Sequence, residues 1–220
     1  MTKAIFVDGA SLARMRPGLG INLFEFKALY QILTEEVGTE KEIFGKPFYT
    51  ISKAASEGTW VKTIRSRGFE VAIIETENGQ DDKLIIDRIK TLKPGDVSEI
   101  VLVSADQDFV PVLRDKKAEG IKIYWVATKS PTEEGRRMIG EVLEELLGTE
   151  FEFVELANFK DRLMRSPWVG RVAQPEPPKP QRKVKVTLEI ATTHDESFTI
   201  LDDVMKIVKQ HPEMKYTIES

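Results

Sequence analysis

The chain contains no cysteine and only two histidines, His194 and His211. Without cysteine it can form no disulfide, no thiolate nucleophile and no zinc site with sulfur ligands. Both histidines fall in the last thirty or so residues, so a Ser-His-Asp triad in the body of the protein would need that end to fold back. Hydrolytic chemistry in this sequence is therefore expected to depend on carboxylates, assisted by a metal ion.

Long apolar runs and an excess of basic charge are also missing. No segment has the roughly 20 consecutive apolar residues that cross a bilayer, so we expect no membrane partner. The first residues, "MTKAIFVDG", enter a strand pattern at once and lack the plan of a signal peptide, which makes the cytoplasm the expected location. The net charge of −4 excludes a basic surface over the whole chain but permits a local basic patch.

Short apolar runs alternate with amphipathic stretches along most of the chain. The runs predict strands at 4–9, 43–51, 69–76, 99–105, 121–127 and 151–156. The amphipathic stretches predict helices at 22–38, 57–68, 80–93, 107–120 and 132–147. Three of the runs, 69–76, 99–105 and 121–127, are nearly continuous in apolar residues, as in strands covered on both faces. Pro47 predicts an edge position or an irregularity for its strand. We therefore expect a three-layer α/β/α domain with a mostly parallel central sheet.

A proline-rich stretch separates this domain from the end of the chain. Residues 171–182 contain four prolines and no apolar periodicity, which is typical of a semi-rigid linker. We predict a domain over 1–167, a linker over 168–182 and a small α+β segment over 183–220. A segment that small seldom folds alone, so it is expected to dock on the main domain, on a partner or on its own copy in a homodimer.

Acidic residues follow the carboxyl ends of three predicted strands. They are Asp8 after the first strand, Asp81 and Asp82 at the start of the helix that follows the third strand, and Asp106 and Asp108 after the fourth. Ligands of open α/β sheets bind at the carboxyl ends of the strands, so this topology gathers the carboxylates at one edge. Their mutual repulsion is costly unless protons or cations neutralise it, and among cations an oxygen-rich set selects Mg²⁺ or Mn²⁺. Each aspartate taken singly could instead be a helix N-cap.

Other carboxylate-based folds fit the sequence less well. A haloacid-dehalogenase phosphatase requires a second Asp where this chain has Ala10, and an integrin-type metal site requires Ser where it has Ala10 and Leu12. No glycine-rich phosphate loop follows a strand. A response-regulator receiver would have paired acids after its first strand and a single acid on a central one, which is the reverse of the order here. The Mg²⁺ or Mn²⁺ expected at the acids serves phosphoryl chemistry, because such ions lower the pKa of bound water and stabilise an in-line displacement.

Three motifs resemble those of NYN domains, the PIN-like metal-dependent ribonucleases. They are "FVDGAS" at 6–11, "QDDKLIID" at 80–87 and "VLVSADQDFVPVL" at 101–113, and the resemblance covers about residues 3–160. The resemblance implies a PIN-like fold and cleavage of RNA, expected to be single-stranded, by water activated by Mg²⁺ or Mn²⁺. A catalytically weak or inactive PIN-like module that binds RNA or serves as a scaffold is the alternative.

The resemblance also implies roles for particular residues. The catalytic and metal-binding acids would be Asp8, Asp81, Asp106 and Asp108, with Asp82 as a further metal ligand. Ser104 would position a phosphate or a water molecule. Ser11 stands where the family usually has Asn, but a hydroxyl can still donate and accept hydrogen bonds toward substrate. Asn78 stands where many members have Lys, which bears on how substrate charge is neutralised.

Three basic residues are candidates for contacts to RNA phosphates. Arg14, Lys129 and Arg136 lie in segments that we expect to be loops or helix starts at the same edge of the sheet as the acids. Exposed Arg and Lys side chains are more often simply solvated, so the contacts are an expectation from position alone.

Overall fold

The computed structural model describes residues 1–56, 60–75, 80–132 and 134–164, without the side chains of Ala54, Gln80 and Asp81. The predicted linker over 168–182 and the segment over 183–220 lie outside the described residues, and so does Asn78. The expected role of that segment in a homodimer therefore stays a prediction.

The described residues form a parallel sheet with helices packed against it. Its strands are β1 (Thr2–Asp8), β2 (Glu42–Ile43), β3 (Phe48–Ser52), β4 (Glu70–Ile74), β5 (Glu99–Val103), β6 (Lys122–Ala127) and β7 (Glu152–Glu155). The order is β4-β3-β1-β5-β6-β7, with β2 paired to the start of β1, and each of these pairings is parallel. The expectation of an α/β/α domain with a mostly parallel central sheet is confirmed.

Helices connect the successive strands in the described part of the chain, except between β2 and β3. They are α1 (Gly9–Leu19), α2 (Phe26–Gln31) with a π-helical extension (Ile32–Glu36), α3 (Lys53–Ser56), α4 (Trp60–Ser66), α5 (Gln80–Thr91), α6 (Val110–Ala118), α7 (Glu141–Leu146) and α8 (Lys160–Leu163). Short 3₁₀ turns at Gln107–Phe109 and Leu156–Phe159 precede α6 and α8. A helix between two strands is what a parallel pairing requires, because the chain must return to the starting edge of the sheet.

The central strands are buried on both faces because helices cover them. All five residues of β5 are buried, and in β6 burial extends from Ile123 to Ala127. On α5 the apolar residues recur at helical spacing, and Ile85 and Ile89 are fully buried. This packing fixes the backbone of β1 and β5, whose carboxyl ends carry the candidate acids.

The run 43–51 is interrupted at Pro47, as its proline predicts, but it does not lie at an edge. It divides into β2 and β3, and β3 lies between β1 and β4. Pro47 precedes the first ladder residue, so its missing N–H costs no sheet hydrogen bond, and its carbonyl accepts one from the Glu70 N–H (2.9 Å). In contrast β4, expected to be covered on both faces, is an edge strand with Ile73 41% exposed.

Two helical segments differ from the pattern in the sequence. The helix expected over 132–147 is wrong in its first half, since the helix begins only at Glu141 and Gly135 adopts φ +79°. The sequence does not predict α1, because Pro17 and Gly18 in its last turn resemble a loop. In the described residues, no helix has the length and apolar character needed to cross a membrane.

The order of the strands creates a topological switch point between β1 and β5. From β1 the chain adds β3 and then β4 on one side, and after α5 it returns to add β5 on the other side of β1. A crevice opens at the carboxyl ends of such a strand pair, and ligands of open α/β sheets bind there. The residues that follow β1 and β5 are therefore the first to inspect.

Candidate functional site

Asp8 and Asp106 flank the switch point at the carboxyl ends of two neighbouring strands. Asp8 is the last residue of β1, and Asp106 follows β5 by three residues. The parallel register pairs Val7 with Val103, so β1 and β5 end at the same level of the sheet. The structure thus places these two predicted acids at the same edge of the sheet.

The carboxylate of Asp8 is fully buried and bound on both oxygens. Its Oδ1 accepts a hydrogen bond from the Ser11 N–H (3.0 Å), which caps α1, and its Oδ2 accepts one from the Ser104 hydroxyl (3.0 Å). Both donors are neutral, so they satisfy the oxygens without cancelling the charge. Burial, together with the negative charge of Asp8, raises the pKa of Tyr49 well above its usual value and keeps its phenol neutral.

Gly9 allows the chain to turn sharply into α1 directly after Asp8. A Cβ at this position would lie 2.1 Å from the carbonyl oxygen of Thr50 and 2.7 Å from a ring carbon of Tyr49. Only glycine permits such a close approach of the two backbones. The Asp-Gly pair therefore fixes the start of α1 against β3.

Asp106 has three separate contacts around the same crevice. Its Oδ1 accepts a hydrogen bond from the Asp108 N–H (3.1 Å) and caps the turn Gln107–Phe109. Its own N–H donates to the hydroxyl oxygen of Ser104 (3.0 Å). Its Oδ2 lies 3.5 Å from Nη2 of Arg14, in an ion pair in which Asp106 is 25% and Arg14 60% exposed. A pair this long and this exposed to solvent is weak.

Ser104 connects the two acids through a single hydroxyl. Its backbone is held by β6, where Val126 accepts from its N–H (3.2 Å) and the indole N–H of Trp125 donates to its carbonyl (2.7 Å). Its Oγ contacts Asp8, the N–H of Asp106 and, at 3.2 Å, the Oγ of Ser11. The hydroxyl of Ser104 is therefore the point at which the two strand ends are joined.

The hydroxyl protons at this site have one consistent direction. Ser104 gives its proton to Asp8, so across the short contact between the serines Ser11 must be the donor. Ser11 in turn accepts from Nη2 of Arg14 (2.9 Å). The chain of donors runs from Arg14 through Ser11 and Ser104 to Asp8, and each bond polarises the next. The charge of Arg14 is thereby coupled to a buried carboxylate that it does not contact.

The N-cap and metal-site interpretations of the aspartates are compatible in this geometry. Asp8 and Asp106 each cap a helical turn with Oδ1. Each presents Oδ2 to a side chain of the crevice, Ser104 in one case and Arg14 in the other. A cap needs one oxygen only, so Oδ2 of Asp106, which has a long and exposed ion pair, remains available for a different ligand, whereas Oδ2 of Asp8 already accepts from Ser104.

The oxygen donors of this site are of the type that a divalent cation prefers, but the described acids are too few to hold one. The donors that surround the crevice are carboxylate and hydroxyl oxygens, which are the ligands of Mg²⁺ and Mn²⁺. Within the described residues, no three His, Asp or Glu side chains gather closely enough to hold a metal ion. Asp8 and Asp106 would need a third carboxylate, and the side chain of Asp81 lies outside the described part.

The remaining predicted acids lie around this pair. Asp81 and Asp82 are in the first turn of α5, which packs against β1, β3 and the turn Gln107–Phe109. The side chain of Asp82 is half-buried, whereas that of Asp108 is exposed on the turn that Asp106 caps. Their assignment as metal ligands stays a prediction.

The three basic candidates have different surroundings. Arg14 contacts the site directly through Ser11 and Asp106. Lys129 follows β6, but its ammonium lies 5.0 Å from the ring centre of Phe153 on β7, on the far side of β6 from Asp8. Arg136 lies exposed in the loop between β6 and α7, and its N–H donates to the Thr132 hydroxyl (3.1 Å). Only Arg14, of these three, has a described contact with an acid of the site.

Two residues support the site without being predicted to do so. Trp125 belongs to the run 121–127, which the sequence predicts as a strand covered on both faces, yet its indole N–H also donates to the carbonyl of Ser104. A fully buried tryptophan needs an acceptor, which is the one signal that could have suggested such a role. Gly9 could have been found from its position directly after a strand-ending Asp, where a tight turn demands a residue without a side chain.

Comparisons with known proteins agree with the fold and identify the family. A search of curated proteins finds no match. A crystal structure of a protein of unknown function from Vibrio parahaemolyticus superposes with a TM-score of 0.51 at 20% identity, covering 70% of this chain and 92% of that one. A likeness at this identity shows the fold alone. The NYN domain family model matches residues 2–140, which is more than half of the chain, and the protein therefore belongs to the NYN domain family of PIN-like nucleases.

Proposed function

We propose that this protein is a metal-dependent ribonuclease that hydrolyses the phosphodiester bonds of single-stranded RNA. The observation that carries the proposal is the hydrogen-bonded junction of Asp8, Ser104 and Asp106 at the switch point of the sheet. Membership of a nuclease family supplies the reaction class, and the oxygen donors supply the reason for Mg²⁺ or Mn²⁺. A cytoplasmic location and RNA as partner belong to the same proposal.

Asp8 and Asp106 would hold the metal ion, together with carboxylates from Asp81, Asp82 and Asp108. When bound, such an ion lowers the pKa of a coordinated water and stabilises charge on the phosphoryl oxygens. Asp8 brings a buried charge whose oxygens are oriented by Ser11 and Ser104.

The serines and the basic residues would orient the acids and the substrate. Ser104 keeps Asp8 in register with the backbone of Asp106, because one hydroxyl oxygen contacts both. Arg14 places a guanidinium at the open side of the crevice, where an RNA phosphate would approach. Lys129 and Arg136 would contact phosphates further from the cleaved bond, and Lys129 follows β6, which β5 separates from β1.

The proposal is tested by incubating the purified full chain with labelled single-stranded RNA and Mn²⁺, with and without EDTA. The decisive variant is Asp106→Asn, because the amide keeps the oxygen that caps the turn at Asp108 and loses the charge. Its free energy of unfolding should stay within about 1 kcal/mol of wild type, since its ion pair with Arg14 is long and exposed. Cleavage should fall by orders of magnitude. Asp115→Asn, on the exposed face of α6, is the matched control and should cleave normally.

One observation favours the alternative of an RNA-binding or scaffold module with weak or no catalysis. The guanidinium of Arg14 already faces Asp106, so one positive charge neutralises that acid without a metal. In that case wild-type protein should bind RNA, show no stabilisation by Mn²⁺ and leave the RNA intact. Cleavage that persists in EDTA, or in Asp106→Asn, would also contradict the ribonuclease proposal.

A further inference from the structure

Arg14 occupies a position that connects the acids of the site to the solvent. Its Nη2 is 2.9 Å from the Ser11 hydroxyl and 3.5 Å from Oδ2 of Asp106, and its side chain is 60% exposed. The oxygen that it faces is the one that Asp106 does not use to cap its turn. A metal ion held by Asp106 would need the same oxygen.

We propose that Arg14 exchanges partners and thereby couples metal binding to RNA binding. In the metal-free protein its guanidinium pairs with Asp106, and in the metal-bound protein it is released to an RNA phosphate at the mouth of the crevice. This inference rests on the proposed function, because it requires a divalent cation at the acids and RNA as the substrate. Arg14 is then a positioning residue for the substrate, and its availability depends on whether the metal is bound.

The exchange requires only the side chain of Arg14 to move, because the backbone at the start of α1 is held in place. The hydrogen bond from the Ser11 N–H to Asp8 and the close approach of Gly9 to Thr50 hold the first turn of the helix. Arg14 is one turn further, on the same face as Ser11. The backbone therefore stays in place while the long side chain, which makes no fully buried contact with Asp106, can change partner.

The balance of charges favours the exchange. An exposed ion pair at 3.5 Å contributes little, so releasing Arg14 lowers metal affinity by only about two- to fivefold. A divalent cation attracts the Asp106 carboxylate more strongly than a single guanidinium does, and it repels that guanidinium. Phosphate is the preferred alternative partner, because the planar fork of Arg matches two of its oxygens.

The coupling gives a reciprocal prediction that does not depend on cleavage. If metal binding frees Arg14 for RNA, then the presence of RNA must favour metal binding by the same factor. Removing the guanidinium should raise metal affinity in the absence of RNA and lower RNA affinity in the presence of metal. A fixed RNA contact or a purely structural arginine would not give these two opposite changes.

The first measurement is the dissociation constant of Mn²⁺ for the full chain without RNA, from the relaxation of water protons. Arg14→Met should bind Mn²⁺ about two- to fivefold more tightly than wild type, because in this variant the Asp106 carboxylate has no ion pair with residue 14 that must be broken. Arg14→Lys keeps the positive charge but lacks the planar guanidinium, so its affinity for Mn²⁺ should lie between those of wild type and Arg14→Met. Arg16→Met removes an exposed charge from the same helix, two residues away on another face, and should stay within about twofold of wild type.

The second measurement is the affinity for a fluorescein-labelled oligouridylate RNA, by anisotropy, without divalent cations and with Ca²⁺. Ca²⁺ is used because it takes the same oxygen ligands. With Ca²⁺, Arg14→Met should bind this RNA about three- to tenfold more weakly than wild type, on the scale of one lost charge-assisted contact. Without divalent cations the two proteins should agree within about twofold, since Arg14 is then engaged by Asp106.

The outcomes separate the failure of this inference from the failure of the proposed function. Wild-type protein that binds neither Mn²⁺ nor RNA contradicts the ribonuclease proposal and, with it, the exchange. Wild-type protein that binds Mn²⁺ with the same affinity as Arg14→Met refutes the exchange alone. An RNA affinity that falls equally with and without Ca²⁺ also refutes it, because Arg14 is then a permanent RNA contact. If Arg14→Met does not fold, Arg14→Lys gives the same tests with smaller expected changes.

Discussion

Replacing Ser104 with alanine tests whether one hydroxyl joins the two strand ends. Its Oγ donates to Oδ2 of Asp8 and accepts from the N–H of Asp106, and both bonds measure 3.0 Å. Ser104 is fully buried, so water cannot easily replace the missing group. Ser104→Ala should therefore lower the free energy of unfolding more than any other serine substitution at this site.

The magnitude follows from the groups left without partners. Losing a hydrogen bond to a buried charged group costs about 1.5–3 kcal/mol, and orphaning a backbone N–H costs about 1 kcal/mol more. We expect Ser104→Ala to destabilise the protein by about 2–4 kcal/mol. Ser11→Ala keeps the N–H bond to Asp8 and loses only hydroxyl contacts, one of them to the exposed Arg14, so about 0.5–1.5 kcal/mol is expected.

The assay is urea unfolding of the full chain with and without Mn²⁺, using Ser66→Ala as control. Ser66 is exposed on α4 and its hydroxyl donates to the carbonyl of Thr63 in its own helix (2.7 Å), so its removal should be nearly neutral. Mn²⁺ should stabilise Ser104→Ala at least as much as wild type, because a cation replaces the lost partner of Asp8. A cost for Ser104→Ala no larger than that for Ser11→Ala would refute the central role of this hydroxyl.

Three further perturbations test other parts of the structure. Burial raises the pKa of Glu99, but hydrogen bonds from Thr39 and Glu40 and the charge of Lys3 outweigh it and hold that pKa below its ordinary value of 4.5. The stability that this shift contributes is complete above the unfolded-state pKa of Glu99 and is lost as the pH falls through its folded-state pKa. Glu99→Gln should therefore reduce the fall in the free energy of unfolding, measured with urea, as the pH is lowered. An unchanged fall would contradict this. Gly9→Ala should cost about 3 kcal/mol or more in the same urea assay because its Cβ meets the carbonyl of Thr50, whereas Gly95→Ala has open space and should be nearly neutral. Equal costs would show that the close approach does not matter. A chain lacking residues 171–220 should unfold cooperatively and still cleave RNA, and loss of cooperative unfolding would place that end in the core.

The sheet and the meeting of Asp8 with Asp106 could be predicted because both follow from local patterns. Strands that are apolar throughout must be covered on both faces, and strands joined by helices run parallel, so their acidic ends share an edge. The same reasoning fails for β4, where Ile73 is 41% exposed. An apolar run shows that a strand can be buried, but neighbours distant in sequence decide whether each face is covered.

The details of the site depend on contacts that no local pattern carries. Arg14 contacts Asp106 because α1 begins directly at Gly9. The sequence does not predict this helix, because its last turn contains a proline and a glycine, which are typical of loops. The position of Lys129 after a strand predicts a phosphate contact, and this stays a prediction, but its neighbour Phe153 depends on the pairing of β7 with β6, which no local pattern shows. The hydroxyl of Ser104 could be expected near the site, whereas its contact with both acids is set by the β1–β5 register.

The junction at the switch point also has a consequence for the protein during its synthesis. The bonded side chains of Asp8 and Ser104 are 96 residues apart in the chain. A ribosome that has delivered β1 to β4 has produced a sheet whose future central strand still has an open side, because β5 pairs with β1 only later. Contacts between such distant segments form slowly and late. A nascent chain therefore cannot join Asp8 to Ser104 until β5 and the turn after it have emerged, so the site is among the last parts of the sheet's edge to form.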